Sequence, residues 1–87
     1  MLVRYFAAAA AAAGTDEEHV STSTVLNRTD LEQLLVTLHP VAPEGERTLA
    51  QVLPRCSLLV DGITARDPAT PLAPGATVDV LPPFAGG

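Results

Sequence analysis

Apolar residues recur along this chain with a spacing that changes from segment to segment. Leu2 to Phe6 is an apolar run broken only by Arg4, which predicts a buried or half-buried first strand. Seven alanines follow, Ala7 to Ala13. Alanine has the strongest intrinsic helix preference, and Gly14 stands where a left-handed cap would close a turn or two of helix before Thr15-Asp16 opens a turn. Glu18 to Thr24 alternates weakly and is rich in Val, Ser and Thr, predicting an exposed second strand that pairs back on the first. Thr29-Asp30-Leu31-Glu32 fits a capping box, so a helix is expected to start at Thr29. Leu31, Leu34, Leu35 and Leu38 fall at i, i+3, i+4 and i+7, one apolar stripe, and Pro40 stops the helix just after His39. No second long helix exists to receive that stripe, so it must lie on a sheet face.

Prolines and a glycine from Pro40 to Gly45 mark a loop, after which Leu49, Val52 and Leu53 predict a short second helical segment ended by Pro54. Ser57 to Val60 reads as a strand leading into Asp61-Gly62, a pair favoured in two-residue hairpin turns, with Ile63 to Ala65 as the return strand. Asp67 to Pro74 is a proline-punctuated loop, and Pro74-Gly75 makes a second turn. Thr77 to Leu81 alternates as a last strand with Val78 and Val80 on one face. The order strand, strand, helix, strand, strand, strand predicts an α+β fold of the β-grasp, or ubiquitin-like, kind. It has a mixed sheet of about five strands, one main amphipathic helix and a short second helical segment. Residues 1–81 are expected to form this domain and residues 82–87 a flexible C-terminal tail.

Composition narrows the class. The 87 residues allow one small domain, and a hydrophobic content of 47% excludes a disordered acidic tail. The longest uncharged stretch is too short to span a bilayer, so a soluble, cytoplasmic protein is expected, with no membrane partner. Arg4 followed by Tyr5 to Ala13 also has the outline of a secretory signal, but cleavage there would remove the first strand of an already small domain. Ten acids against five bases give a net charge of −5. Such a surface repels phosphate backbones, so nucleic acid is not expected as a ligand and a basic protein surface is the better partner. All five bases are arginines; the sequence contains no lysine. Cys56 is the single cysteine and the two histidines, His19 and His39, stand far apart, which leaves no internal disulfide and no recognisable metal site.

Side chains supply no catalytic constellation: there is no phosphate loop, no nucleophile elbow and no evident pair of carboxylates. Cys56 beside an apolar strand reads as a small packing residue rather than a reactive thiol. His39 reads as a cation near the helix C-terminus, and Asp61 as a turn residue. The distinctive feature is the end, Leu81-Pro82-Pro83-Phe84-Ala85-Gly86-Gly87. A strand is followed by two stiff prolines, one aromatic residue and then residues with almost no side chain. Two glycines remove every Cβ near the terminal carboxylate, so the backbone can thread a narrow channel and present that carboxylate to another protein.

The Pro-Pro-x-Ala-Gly-Gly end, the Gly14-Thr15-Asp16 turn, the helix from Thr29 and the Leu59-Val60-Asp61-Gly62 hairpin together resemble the MoaD family, the small sulfur-carrier subunit of molybdopterin synthase, within the MoaD/ThiS superfamily. The resemblance implies that the chain is not an enzyme by itself. It implies that the Gly87 carboxylate is adenylated, then converted to a thiocarboxylate that donates sulfur to a pterin precursor in molybdenum cofactor biosynthesis. The chain itself is expected to bind no cofactor. ATP and Mg would be used by an adenylyltransferase/sulfurtransferase of the MoeB kind, and the tail from Pro82 through Pro83, Phe84, Ala85 and Gly86 would enter a MoaE-like large subunit. Extended, that tail reaches roughly 18 to 20 Å. Ordering about four of its residues costs roughly 4 to 8 kcal/mol, against about 2 to 3 from burying Phe84, so a second contact surface is required. By resemblance and strand position it lies near Phe6 and Leu81, although both also suit a core. Two destinations remain beside the leading one: a ThiS-like or cysteine-biosynthesis carrier, and a ubiquitin-like modifier joined to target lysines through Gly87.

Overall fold

A computed structural model describes residues 1–83. The strands are β1 (Leu2–Tyr5), β2 (Glu17–His19), β3 (Ser57–Val60), β4 (Ile63–Thr64) and β5 (Thr77–Leu81). They form one sheet in the order β2-β1-β5-β3-β4. Strand β1 runs parallel to β5, with Leu2 opposite Thr77 and Tyr5 opposite Val80, while all other neighbours are antiparallel. Helices α1 (Ala8–Ala13), α2 (Arg28–Leu38) and α3 (Leu49–Val52) complete the mixed α+β architecture, the ubiquitin-like β-grasp expected from the pattern.

The alternation in the central strands divides the sheet into two faces. Val3, Tyr5, Val78 and Val80 point into the core together with Leu31 and Leu35 of α2, Leu49 of α3 and Leu58 of β3. The leucine stripe is graded: Leu31 and Leu35 are fully buried and Leu34 half-buried, while Leu38 in the last turn is 48% exposed. Helix α1 ends as its composition predicts. Gly14 is left-handed (φ 73) and its N–H donates to the Ala10 carbonyl, while the Pro43 ring lies only 3.2 Å from where a Cβ would stand. The position therefore excludes side chains both by backbone and by space.

Several boundaries differ from the sequence expectation. The main helix starts at Arg28, not Thr29, because Asn27 is its cap. The Asn27 side chain accepts from the Asp30 N–H, and the Asp30 carboxylate accepts from the Asn27 N–H. Thr29 and Glu32 are displaced from the capping box by a pair with the same three-residue spacing two positions earlier. Glu32 instead accepts from Arg28 at 2.6 Å, one helical turn away. Strand β2 stops at His19, far short of Thr24. The Val20 N–H bonds to the Met1 carbonyl, where the partner strand itself begins, so no ladder remains for Ser21 to Thr24. The return strand β4 covers only Ile63–Thr64, although the Ala65 N–H still bonds to the Leu58 carbonyl at 2.9 Å. Pro54 does not end helical structure; it lies in a 3-10 turn over Leu53–Arg55, where its missing N–H leaves no bond unmade.

Candidate functional site

Strands β1 and β5 end side by side, and the residues proposed for partner contact lie where they end. Their last register pair is Tyr5 with Val80, and the Phe6 N–H carries the ladder one step further to the Val80 carbonyl at 3.2 Å. Phe6 is 41% exposed and Leu81 half-buried. Phe6 is thus on the surface and outside the core, and the parallel register puts Leu81 beside it at the edge of the outer face. Pro82 is half-buried, Pro83 exposed, and both line a groove of about 370 Å³. Ala8 of α1, Gln51 and Val52 of α3, and Gly45, Glu46, Arg47 and Arg55 form its other walls. The chain therefore leaves the sheet through a groove between two short helices whose wall carries Glu46 beside Arg47 and Arg55. Phe84, Ala85, Gly86 and Gly87 lie outside the described residues.

Beside Phe6 on the outer face is an ion pair that the sequence did not disclose. Arg4 Nε donates to Asp79 Oδ1 at 2.6 Å and Arg4 Nη2 to Asp79 Oδ2 at 2.9 Å, a fork-to-fork pair across the two central strands. Asp79's hydrogen bonds and charge push the Arg4 pKa up, with Glu17 adding in the same direction. A second polar cluster ties helix α2 to the sheet. The Tyr5 hydroxyl donates to Glu18 Oε2 at 2.6 Å, and His39 Nε2 meets the same oxygen at 2.5 Å. Burial, helped by the hydrogen bond and charge of Glu18, pushes the Tyr5 hydroxyl pKa well up. His39 is the C-cap of α2, just past the last helical residue, and its ring is spent on Glu18.

The remaining candidates have structural roles. Cys56 is buried, its thiol directed at the Val52 carbonyl (3.4 Å), and burial pushes its pKa up to about 11 against a lowering by Arg28. A thiol held neutral this way is a poor nucleophile. Arg28 Nη2 donates to the carbonyls of Leu53 (3.1 Å) and Cys56 (2.6 Å), fastening α2 to the turn before β3. Asp61 sits in the hairpin turn at φ 50, its carboxylate accepting from the Thr77 N–H at 2.9 Å. His19 is exposed on edge strand β2. Among the described residues no group of three or more His, Cys, Asp or Glu side chains is placed to hold a metal ion, and no helix is long and apolar enough to cross a membrane.

Arg4 and Asp79 each occupy an outward position of an alternating strand, which was a usable signal for their shared face. Nothing in the sequence gave the parallel register that makes them partners. Glu18, Tyr5 and His39 are brought together from β2, β1 and the end of α2, and no local spacing connects them.

The fold is shared with known proteins. The chain superposes on SAMP1 of Haloferax volcanii with a TM-score of 0.73 at 24% identity, over 100% of this chain and 98% of that one. For the Pyrococcus furiosus protein described as a molybdopterin converting factor subunit 1, the TM-score is 0.70 at 26% identity, with 95% of each chain covered. A chain from the complex of subunits 1 and 2 of the Helicobacter pylori molybdopterin-converting factor gives 0.63 at 22% identity, over 99% of this chain and 96% of that one. No curated protein matches the sequence significantly. The ThiS family model, in contrast, matches residues 3–87, from the first strand through both terminal glycines. With that match spanning the sheet and the tail alike, this protein belongs to the ThiS family, within the MoaD/ThiS superfamily of ubiquitin-like sulfur carriers.

Proposed function

We propose that this chain is the sulfur-carrier small subunit of a molybdopterin synthase, with the Gly87 carboxylate as the reactive group. The observation that carries the reading is the Pro82-Pro83-Phe84-Ala85-Gly86-Gly87 segment set directly on β5, a central strand of the sheet. Likeness to the Pyrococcus furiosus subunit supports the destination. A free carboxylate has no leaving group, so an activating enzyme of the adenylyltransferase kind, using ATP and Mg, joins it to AMP and releases pyrophosphate. A sulfur nucleophile then displaces AMP, leaving a thiocarboxylate. Phe84, Ala85 and Gly86 carry that group into a large subunit holding the residues that transfer sulfur to the pterin precursor, while Phe6 and Leu81 dock on its rim.

The test is intact mass after incubation with an activating enzyme, ATP, Mg and a sulfur donor. A gain of about 16 Da at Gly87 marks oxygen replaced by sulfur, and mixing with large subunit and precursor then yields molybdopterin. Removing Gly87 or converting its carboxylate to an amide abolishes both results and leaves the fold intact. Molybdopterin formation by either variant refutes the assignment. The likeness to SAMP1, small archaeal modifier protein 1, keeps a modifier role as the alternative; it predicts adducts of this chain on target lysines in place of sulfur delivery.

A further inference from the structure

Activation as proposed above turns Gly87 into an acyl adenylate, an electrophile that an amine or thiolate within reach would capture. Among the described residues this chain offers it almost none. The 87 residues contain no lysine. The α-amine of Met1 donates to the Val20 carbonyl at 3.0 Å. It stands where β1 begins, beside the beginning of β5, whereas the tail leaves from the end of β5, about 13 Å further along the strands. Cys56 is buried, its thiol turned to the Val52 carbonyl and held neutral. The His39 ring is taken by Glu18, and the exposed His19 pairs with Leu2 at the far end of the sheet. Phe84, Ala85 and Gly86 bring no nucleophilic side chain, and hydroxyls are weak nucleophiles at their ordinary pKa.

Positive charge is nonetheless present at the base of the tail. Arg4 and Arg28 are paired with Asp79 and Glu32, while Arg47 and Arg55 are exposed and share the groove with Pro82 and Pro83. The four residues from Pro83 to Gly87 span at most about 14 Å, and so short a tether gives the Gly87 carbonyl an effective concentration of order millimolar at that groove. A lysine ammonium there, with a pKa of about 10.4, would supply some free amine near neutral pH, whereas a guanidinium stays protonated and only donates hydrogen bonds. We infer that Arg47 and Arg55 are specificity-determining residues: as arginines they place charge beside the activated Gly87 carbonyl without an amine that would capture it, so the acyl group passes to sulfur or to another protein and not to this chain. With lysine at either position, the amine nitrogen would bond to the Gly87 carbonyl carbon and the bond from that carbon to the AMP oxygen would break. AMP would leave with the electron pair, the amine proton would pass to solvent, and a lactam would close. The inference rests on activation of Gly87, which the carrier reading and the modifier alternative share.

The test compares the parent with Arg47→Lys, Arg55→Lys and, as a control at the far end of the sheet, His19→Lys. Both groove substitutions keep the charge and fall on exposed side chains, so the fold is expected to stand. Each full chain is prepared with Gly87 as a thioester and held at about pH 8.5, where roughly one per cent of a lysine amine is uncharged. Intact mass then follows the lactam, about 18 Da below the free acid. Lactam is expected to form about tenfold faster in the two groove variants than in His19→Lys, while the parent only hydrolyses. With an activating enzyme, ATP and Mg but no sulfur donor, the groove variants are expected to lose the same mass and the parent to be recovered as free acid. Lactam or a covalent dimer from the parent overturns the proposal, as does a lactam rate in both groove variants no greater than in His19→Lys. A parent that releases no pyrophosphate with the activating enzyme sinks the carrier reading instead, and the thioester rates still decide whether Arg47 and Arg55 keep the carbonyl from being captured.

Discussion

Arg4 and Asp79 face each other across the parallel pair of central strands, and both guanidinium contacts fall on the two oxygens of one carboxylate. Their surroundings are unequal: the Asp79 side chain is 10% exposed, while the Arg4 side chain keeps 46% of its surface in water. Removing the arginine therefore strands a buried carboxylate, whereas removing the aspartate releases an arginine that can turn into solvent. Arg4→Ala should destabilise the fold through the unpaired Asp79, and Asp79→Ala should do so by less. The double variant should resemble Asp79→Ala. Urea unfolding of the three proteins checks the order, and equal losses in both single variants would remove the asymmetry.

The graded leucine stripe of α2 gives a second prediction. Leu35 is fully buried, so Leu35→Asp places a charge in the core without a partner and should unfold a domain of this size, whose total stability is of order 5 kcal/mol. Leu38, 48% exposed at the end of the same stripe, should accept Asp within about 0.5 kcal/mol. Far-ultraviolet circular dichroism of the two variants separates these outcomes. An unfolded Leu38→Asp would mean that the last turn packs as tightly as the first.

Alkaline pH should weaken the fold. The ordinary thiol value is 9.0 and burial raises Cys56 to about 11 in the folded chain. Folded protein thus keeps a proton that the unfolded chain releases above pH 9. The stabilisation is full below pH 9 and is lost as pH climbs through 11. The Tyr5 hydroxyl, raised by burial and by Glu18, acts in the same direction at higher pH. Melting temperature should fall between pH 9 and 11, and Cys56→Ala should show a shallower slope in that window despite its lost packing. Cys56→Ser should still acquire the thiocarboxylate, because sulfur travels on the Gly87 carbonyl; adenylation without sulfur loading in that variant would make Cys56 a relay.

Gly86→Val tests the tail. A branched side chain beside the reactive carbonyl adds bulk and excludes backbone angles open to glycine, so thiocarboxylate formation and sulfur transfer should both collapse. Melting temperature should stay unchanged, because residue 86 lies beyond β5. Association with the large subunit through Phe6 and Leu81 should weaken only slightly. Normal loading and transfer would show that the channel is wide.

The sequence made legible the elements whose causes are local. The leucine spacing specified α2, alternation specified β5, Gly14 specified the end of α1 and Asp61-Gly62 specified the hairpin, because helix period, strand period and turn angles are set by residues within a few positions of one another. It also displayed the tail motif whole, since that motif depends only on consecutive residues. Where two local solutions competed, it left the choice open. Asn27 with Asp30 and Thr29 with Glu32 have the same spacing, and Asn27 caps the helix while Arg28, one residue on, reaches the Leu53 and Cys56 carbonyls. Tertiary packing settled what depends on register and on distant neighbours. It decided that β2 stops where β1 begins, that Arg4 meets Asp79, that Glu18 joins Tyr5 to His39, and that Phe6 is outside the core. These pairings join residues up to 75 positions apart. Their partners are selected by how the whole apolar face packs, which no window of neighbouring residues encodes.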